Sequence, residues 1–280
     1  MSSWPALLQR PEPLRDGDDL GEWFTAIATR LLDGCRLVAA GQPHRFAEVE
    51  FYYCGDGHPD RFAHCDPLQL ACGRWYFHRS RGTYRGGSFK GIDLTFGDGA
   101  AFGGVLVRGL EAPDGTRIDG PSLCVDHLLK TTGHEAIAPL DRVIGGRVAW
   151  EEGNPLRLEE APPEGRRLYR SGRVGLTLKK AKPPSDLPRY ILRPYRYLTE
   201  PRRTAKGKAY LVLALYAQGV APDDIPGLTG CPSKSVRRYL EDFEAGREEP
   251  DFAAYFGKEL GPEDLCRLHG TWHEQVKYRS

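Results

Sequence analysis

At 280 residues the chain is long enough for one large domain or two modest ones, each with its own core. Hydrophobic residues make up 40% and charged residues 28%, as in globular proteins, and no apolar run approaches the roughly 20 residues that span a bilayer. Net charge is only +1, but fourteen Lys or Arg against two acids between Arg166 and Lys208 leave that segment at about +12 and the remainder acidic. The N-terminus lacks a basic start followed by an apolar stretch, and seven scattered cysteines suit a reducing compartment. The expectation is an intracellular, cytoplasmic protein.

Residues 1–19, with three prolines, read as a loose leader. LGEWFTAIATRLLDG (20–34) places apolar residues near helical spacing and stops at Gly34. CRLVAA and HRFAEVEFYY read as two strands around the turn GQPH. GRWYFHRS and SFKGIDLTF form another hairpin, joined by the glycine- and arginine-rich RSRGTYRGG, and GGVLVRGLEAP is a β-branched strand ending at a turn. GPSLCVDHLLK starts a helix, with Ser122 a possible N-cap. Two shorter elements follow, around DRVIGGRVAWEE and YRSGRVGLTL, and then the strand-like RYILRPYRYLT. A break near Pro201 separates residues 20–200 from an extension, residues 201–280. The fold class is α+β: an antiparallel β-rich domain with flanking helices, plus a small all-helical C-terminal domain.

In that extension GKAYLVLALYAQG is helical, and Ile225, Leu228, Gly230, Ser233, Val236, Leu240 and Phe243 are spaced as in a helix-turn-helix. Gly230 would make the turn, and Ser233 would open a recognition-type helix carrying Lys234, Arg237 and Arg238. A helical cap that never touches nucleic acid fits the same pattern, and residues 212–280 are net acidic. The basic belt, with Arg173, Lys179 and Lys180 among its cations and Tyr169, Tyr190, Tyr195 and Tyr197 interleaved, suits a polyanion such as DNA or RNA. The competing reading is a solvated surface facing acidic patches elsewhere.

The strand RFAEVEFYY carries the chemistry. Alternation puts Glu48, Glu50 and Tyr52 on one face and Val49, Phe51 and Tyr53 on the other. Carboxylates on an internal strand are costly unless paired or hydrogen-bonded, so the acidic face is either a working site or the open side of an edge strand.

Five stretches in order, RFAEVEFYY…AHC, GRWYF…GGSFKGIDL, GVLVRGLEAPDG, DGPSLCVDHLL and SGRVGL…PYRYL, resemble the alkyladenine (3-methylpurine) DNA glycosylase family over about residues 22–200. The family's E-x-E-x-Y strand, aromatic hairpin, V-L-x-R-x-x-E-P strand, G-P-x-x-L helix start and R-V-G and P-x-R-F/Y pair recur here in the same order. The resemblance implies a monofunctional DNA N-glycosylase that flips a modified base out of double-stranded DNA and hydrolyses its glycosidic bond, acting as a monomer near the nucleoid without a cofactor. It makes Glu50 the general base that activates water and Arg108 the residue that helps hold that water. Tyr52 becomes a wall stacking on the base, His64 a hydrogen-bonding pocket histidine, and His78 the counterpart of a second stacking tyrosine. Asp93 falls at the family's pocket asparagine.

The chain departs from the pattern in three places. Asp93 offers a carboxylate where the family has an amide, so the base edge it meets differs. The family's tyrosine wedge falls within the inserted loop RSRGTYRGGS, which makes Tyr84 the expected wedge and Arg81 and Arg85 its phosphate contacts. The helix start at Ser122 lacks the family's basic residue, although its backbone N–H groups can meet a phosphate. Cys54, His58, His64 and Cys65 match no common zinc spacing, and no metal is expected. A DNA- or RNA-binding protein with an unreactive pocket, and a hydrolase of non-DNA nucleosides, are the rival readings.

Overall fold

The computed structural model describes residues 3–11 and 19–277, so residues 1–2 and 12–18 of the expected leader lie outside it. The chain is a mixed α/β protein with a large antiparallel sheet and several helices, and its contacts divide it into two units. The first comprises residues 1–168 with Tyr197–Thr199; the second, residues 169–196 and 200–280. The division falls at Leu168, earlier than the break expected near Pro201, because residues 169–196 pack with the C-terminal helices.

The start of the first unit is not a loose leader. Helix α1 (Trp4–Leu8) buries Trp4 and Leu8, and Trp4 stacks on Trp150 with centroids 6.1 Å apart. Helix α2 (Asp19–Asp33) follows as its apolar spacing predicts, its Trp23 Nε1 donating to the Leu7 carbonyl at 3.0 Å. Strands β1 (Cys35–Ala39) and β2 (Gln42–Gly55) are joined by Ala40 and Gly41, both at positive φ, as a tight two-residue hairpin requires. After the short β3 (His58–Pro59) come β4 (Cys72–Phe77), β5 (Arg79–Ser80), β6 (Thr83–Tyr84), β7 (Ile92–Phe96), β8 (Phe102–Glu111) and β9 (Arg117–Asp119). Helices α3 (Pro121–Thr131) and α4 (Ile137–Ile144) and strand β10 (Leu156–Glu160) complete the unit.

The sheet runs β10-β1-β2-β8-β7-β4 with every neighbour antiparallel. One face of β2 meets α2: Phe51 stacks on Phe24 at 4.6 Å, and Trp23 meets Tyr53 and Phe96 edge-on. With Val49 and Phe51 committed to that core, period-2 alternation turns Glu48, Glu50 and Tyr52 to the opposite face.

Two register shifts sit where this face gains its charges. Along β2 and β8, Phe46 opposes Leu110, Glu48 opposes Gly109 and Val49 opposes Val107, so Ala47 and then Arg108 are extra residues. A bulge re-aims the residue it adds. The Arg108 carbonyl, unused in the ladder, accepts the Gly120 N–H at 2.7 Å where α3 begins. Gly120, at φ 118°, is the N-cap of α3, which corrects the assignment of that place to Ser122; the serine lies one residue inside the helix and donates to the Gly87 carbonyl at 2.7 Å.

In the second unit strand β11 (Tyr169–Ser171) precedes helix α5 (Leu187–Ile191) and strand β12 (Arg196–Leu198), whose last two residues belong to the first unit. The expected strand over RYILRPYRYLT is thus helical over residues 189–191 and a strand only over Arg196–Leu198: Pro188 fits a first helical turn and Pro194 stops its continuation. Helices α6 (Lys208–Ala217), α7 (Ile225–Thr229), α8 (Ser233–Arg247) and α9 (Pro262–Trp272) follow. Gly230, at φ 71°, closes α7 with its N–H on the Pro226 carbonyl. α8 and α9 cross so closely that a Cβ on Gly270 would stand 1.9 Å from the Phe243 carbonyl oxygen. Among the described residues no helix is long and apolar enough to cross a membrane.

Candidate functional site

The acidic face of β2 is buried, and it is paired. Glu50 is 0% exposed, and its Oε2 accepts the Tyr52 hydroxyl at 2.9 Å and Arg108 Nη1 at 3.4 Å. Arg108 Nε donates to Glu48 Oε1 at 2.8 Å. Burial works against the guanidinium's charge, but Glu50 and then Glu48 outweigh it and hold its pKa above the usual arginine value. A buried carboxylate is tolerated when its lone pairs are met this way. The reading of this face as the open side of an edge strand fails, because Glu48 and Glu50 are buried on it.

The register carries this face across the sheet. Glu50 opposes Leu106, Leu106 opposes Asp93, and Asp93 opposes Tyr76, one row over four strands. Strand spacing puts the backbones of Glu50 and Asp93 roughly 10 Å apart. Asp93 is 2% exposed, with Oδ1 on His78 Nε2 at 2.7 Å and Oδ2 accepting Gln69 Nε2 at 3.0 Å. Gly104 makes this arrangement possible: a Cβ there would meet Asp93 Oδ2 at 2.5 Å and Gln69 Nε2 at 2.7 Å. The carboxylate expected to meet a base edge therefore orients His78, and its two oxygens are already used.

His64 completes the cluster. Its ring stands 4.2 Å from that of His78 at 70°, and 6.3 Å from Tyr76. The buried Nδ1 of His64 has no hydrogen-bond partner. Burial, then the neighbouring His78, pushes its pKa down to about 4, so the ring is neutral near pH 7. His78 and His64 are half-buried, and Tyr52, also half-buried, flanks Glu50.

The inserted loop folds otherwise than expected. Arg81 and Gly82, both at positive φ, form a two-residue turn between β5 and β6, and Arg81 is exposed while Arg85 is half-buried. The Tyr84 hydroxyl donates to Asp141 Oδ2 at 2.6 Å, and Arg79 lies over its ring at 4.5 Å while bonding the same carboxylate at 2.8 Å. Tyr84 is held down. Phe89, five residues on, is 71% exposed, and Leu123 in the first turn of α3 is 53% exposed. The loop is fastened to α3 on both sides of Phe89, by Ser122 on Gly87 and by the Lys90–Asp126 ion pair at 2.7 Å.

No family model matches the chain. The "Uncharacterized protein L759" of Acanthamoeba polyphaga mimivirus is 32% identical over 197 residues, which cover 63% of this chain and 89% of the viral protein. The chain belongs to the same family as that viral protein.

In the second unit the basic belt is partly interior. Arg173 and Arg196 are 0% exposed and Arg193 is buried. Arg173 Nη2 donates to the Tyr190 carbonyl at 3.0 Å, and Arg196 to the carbonyls of Gly207 and Lys206 at 3.1 and 3.0 Å. Arg173 is therefore a structural cation and not a phosphate contact, since backbone carbonyls meet the charge that burial strips of water. Lys208 Nζ likewise caps the carbonyls of Pro201, Arg202 and Thr229. Lys179, Lys180, Arg237 and Arg238 are exposed, with Lys179 paired to Glu259. Among the described residues no three His, Cys, Asp or Glu side chains gather to hold a metal ion.

Sequence reasoning missed Glu48 as a partner of Arg108, Gln69, and Phe89. Gln69 is turned inward by the 3-10 turn Pro67–Leu70, which Asp66 caps, a capping signal readable in D-P-L-Q.

Proposed function

We propose that the protein is a monofunctional DNA N-glycosylase of the alkyladenine glycosylase type, which takes a modified base out of duplex DNA and hydrolyses its bond to the sugar. The observation that carries this reading is the buried Glu50–Arg108–Glu48 cluster, with Tyr52 on Glu50, in one sheet row with the Asp93–His78–His64 group. A carboxylate held in this position suits a sugar that becomes cationic as its base leaves.

In the proposed step Glu50 takes a proton from water, the water oxygen bonds to C1′, and the electrons of the breaking C1′–N bond leave with the base. Positioned general-base help of this kind contributes about 10² to 10⁴ in rate. Lys90 is engaged by Asp126, which supports attack by water over an amine. His64 and His78 present neutral or donor edges to the base, and Tyr52 gives it a wall. Phe89 replaces Tyr84 as the wedge that fills the gap in the duplex, and the exposed Arg81 lies eight residues before it in the chain. α7, Gly230 and α8 would act as a helix-turn-helix-like module through Arg237 and Arg238. Alkylated purines are the first substrate class, and the carboxylate of Asp93 behind His78 widens the field to other modified bases.

A second reading has its own observation. Complete burial of Glu50, with Oε2 already engaged twice, also fits a structural ion cluster inside a nucleic-acid-binding protein that does not cleave. Mass spectrometry of bases released from genomic and phage DNA separates the two. Wild type should release a modified base and leave abasic sites, Glu50→Gln should lose at least a hundredfold in rate, and both should bind DNA equally. No released base from any DNA, with binding intact, establishes the second reading.

A further inference from the structure

We propose that Leu123 is a second inserting side chain, which enters duplex DNA beside Phe89 where the nucleotide has left the stack. The inference rests on the reading of the sheet face as a site for an extruded base, and it adds a part of the grip on the duplex. Both side chains are apolar and face water, Phe89 71% exposed and Leu123 53%. Scattered exposed hydrophobics are ordinary; these two are distinguished by where they sit.

Each is carried by a segment bonded directly to the candidate site. Gly91, two residues after Phe89, accepts the His78 N–H at 2.9 Å and lies so close to that ring that a Cβ would stand 2.5 Å from His78 Nδ1. Gly120, three residues before Leu123, donates its N–H to the Arg108 carbonyl at 2.7 Å, and the Arg108 side chain holds Glu48 and Glu50. The two segments are also tied to each other, by Ser122 on Gly87 and by Lys90 on Asp126. Phe89 falls between these ties along the loop, and Leu123 falls between them along α3. One side chain is thus braced next to His78 and the other next to the Arg108 end of the site.

Charge and size select the partner. Residues 79–90 contain four cations, Arg79, Arg81, Arg85 and Lys90, and no acid. Asp141 meets Arg79 and Asp126 meets Lys90, while Arg81, exposed, and Arg85, half-buried, have no ion pair among the described residues. Cations around exposed apolar side chains suit a phosphate backbone with a base step between its strands, and Phe and Leu are among the residues that proteins drive into such steps. Two side chains fall far short of the roughly 1,000 Å² that a specific protein interface buries. Insertion has work to do only where there is a stack to open, so Leu123 acts on duplex DNA and is idle on a single strand.

The test uses the full-length protein and a duplex with one tetrahydrofuran abasic-site analogue next to 2-aminopurine, whose fluorescence rises when it unstacks; the labelled strand alone is the control. Wild type should bind the duplex and raise the fluorescence. Leu123→Ala and Phe89→Ala should each remove at least half of that rise and lower the ratio of duplex to single-strand affinity at least fivefold, and Leu123→Met should restore both. A purely structural effect would weaken binding to both DNAs and leave the ratio alone. No rise with wild type, or a rise and ratio unchanged in Leu123→Ala, overturns the proposal. Base release by wild type with the ratio unchanged in Leu123→Ala sinks this inference alone. A rise that depends on Leu123, with no base released from any DNA, sinks the glycosylase reading alone.

Discussion

Two glutamates share one guanidinium on the central strand, and the pairing decides how each behaves. Removing Arg108 would take the guanidinium from two buried carboxylates at once, whereas removing either glutamate leaves it the other. Near them His64 contributes a different signature, because its neutral state is a property of the fold. The unfolded imidazole takes up a proton as pH falls through 6.5, while the folded one resists until about 4. The unfolded state therefore binds more protons in that window, and stability falls as pH drops from 6.5 toward 4. The loss is at most about 3 kcal/mol, less the solvent screening of a half-buried ring. Urea unfolding of wild type and His64→Gln across this range should show a steeper acid decline in wild type. Parallel profiles would mean that the ring is as hydrated as in the unfolded chain.

At the level of strands and helices, β2 was the most legible element. Its alternation alone separated Val49 and Phe51 from Glu48, Glu50 and Tyr52, because only one assignment buries the aromatic set. The bulge that turns Arg108 toward both glutamates was not legible, since register is a relation between two strands and neither sequence states it. The same limit hid the pairing of Asp93 with Gln69, which depends on Gly104 lacking a side chain. Gly104→Ala should cost about 1–3 kcal/mol, as overpacked sites do. It should also disturb the NMR signals of His78, which Asp93 orients. A variant as stable as wild type with unmoved His78 resonances would show that the strands adjust at no cost. RYIL misled because its aromatic and β-branched residues favour a strand, while Pro188 and a preceding Asp186 favour a helical start.

For the molecule as a whole, charge was easy to count and hard to place. Fourteen cations between Arg166 and Lys208 read as one polyanion surface, but three are buried and at least one more caps carbonyl groups. The residues expected to grip phosphate thus divide into those that hold the second unit together and those that face water. If duplex DNA is the partner, Lys179→Gln with Lys180→Gln should lower the slope of log affinity against log salt by about 1–2, roughly 0.9 per phosphate contact. Arg173→Ala should instead impair folding. A double lysine variant with the wild-type slope would place the phosphate track elsewhere. The grouping of residues 169–196 with the C-terminal helices also means that truncation at 201 would divide a folding unit, with Arg196 losing the Gly207 carbonyl that satisfies it.

The seat of Phe89 has one further implication. An aromatic ring on a slack loop surrenders conformational entropy each time it is pressed between base pairs. Here Ser122 grips the chain two residues before the ring, and the Lys90–Asp126 pair grips it one residue after. In the proposed role as a wedge, most of that ordering would be completed when the protein folds, leaving the cost of insertion mainly on the duplex.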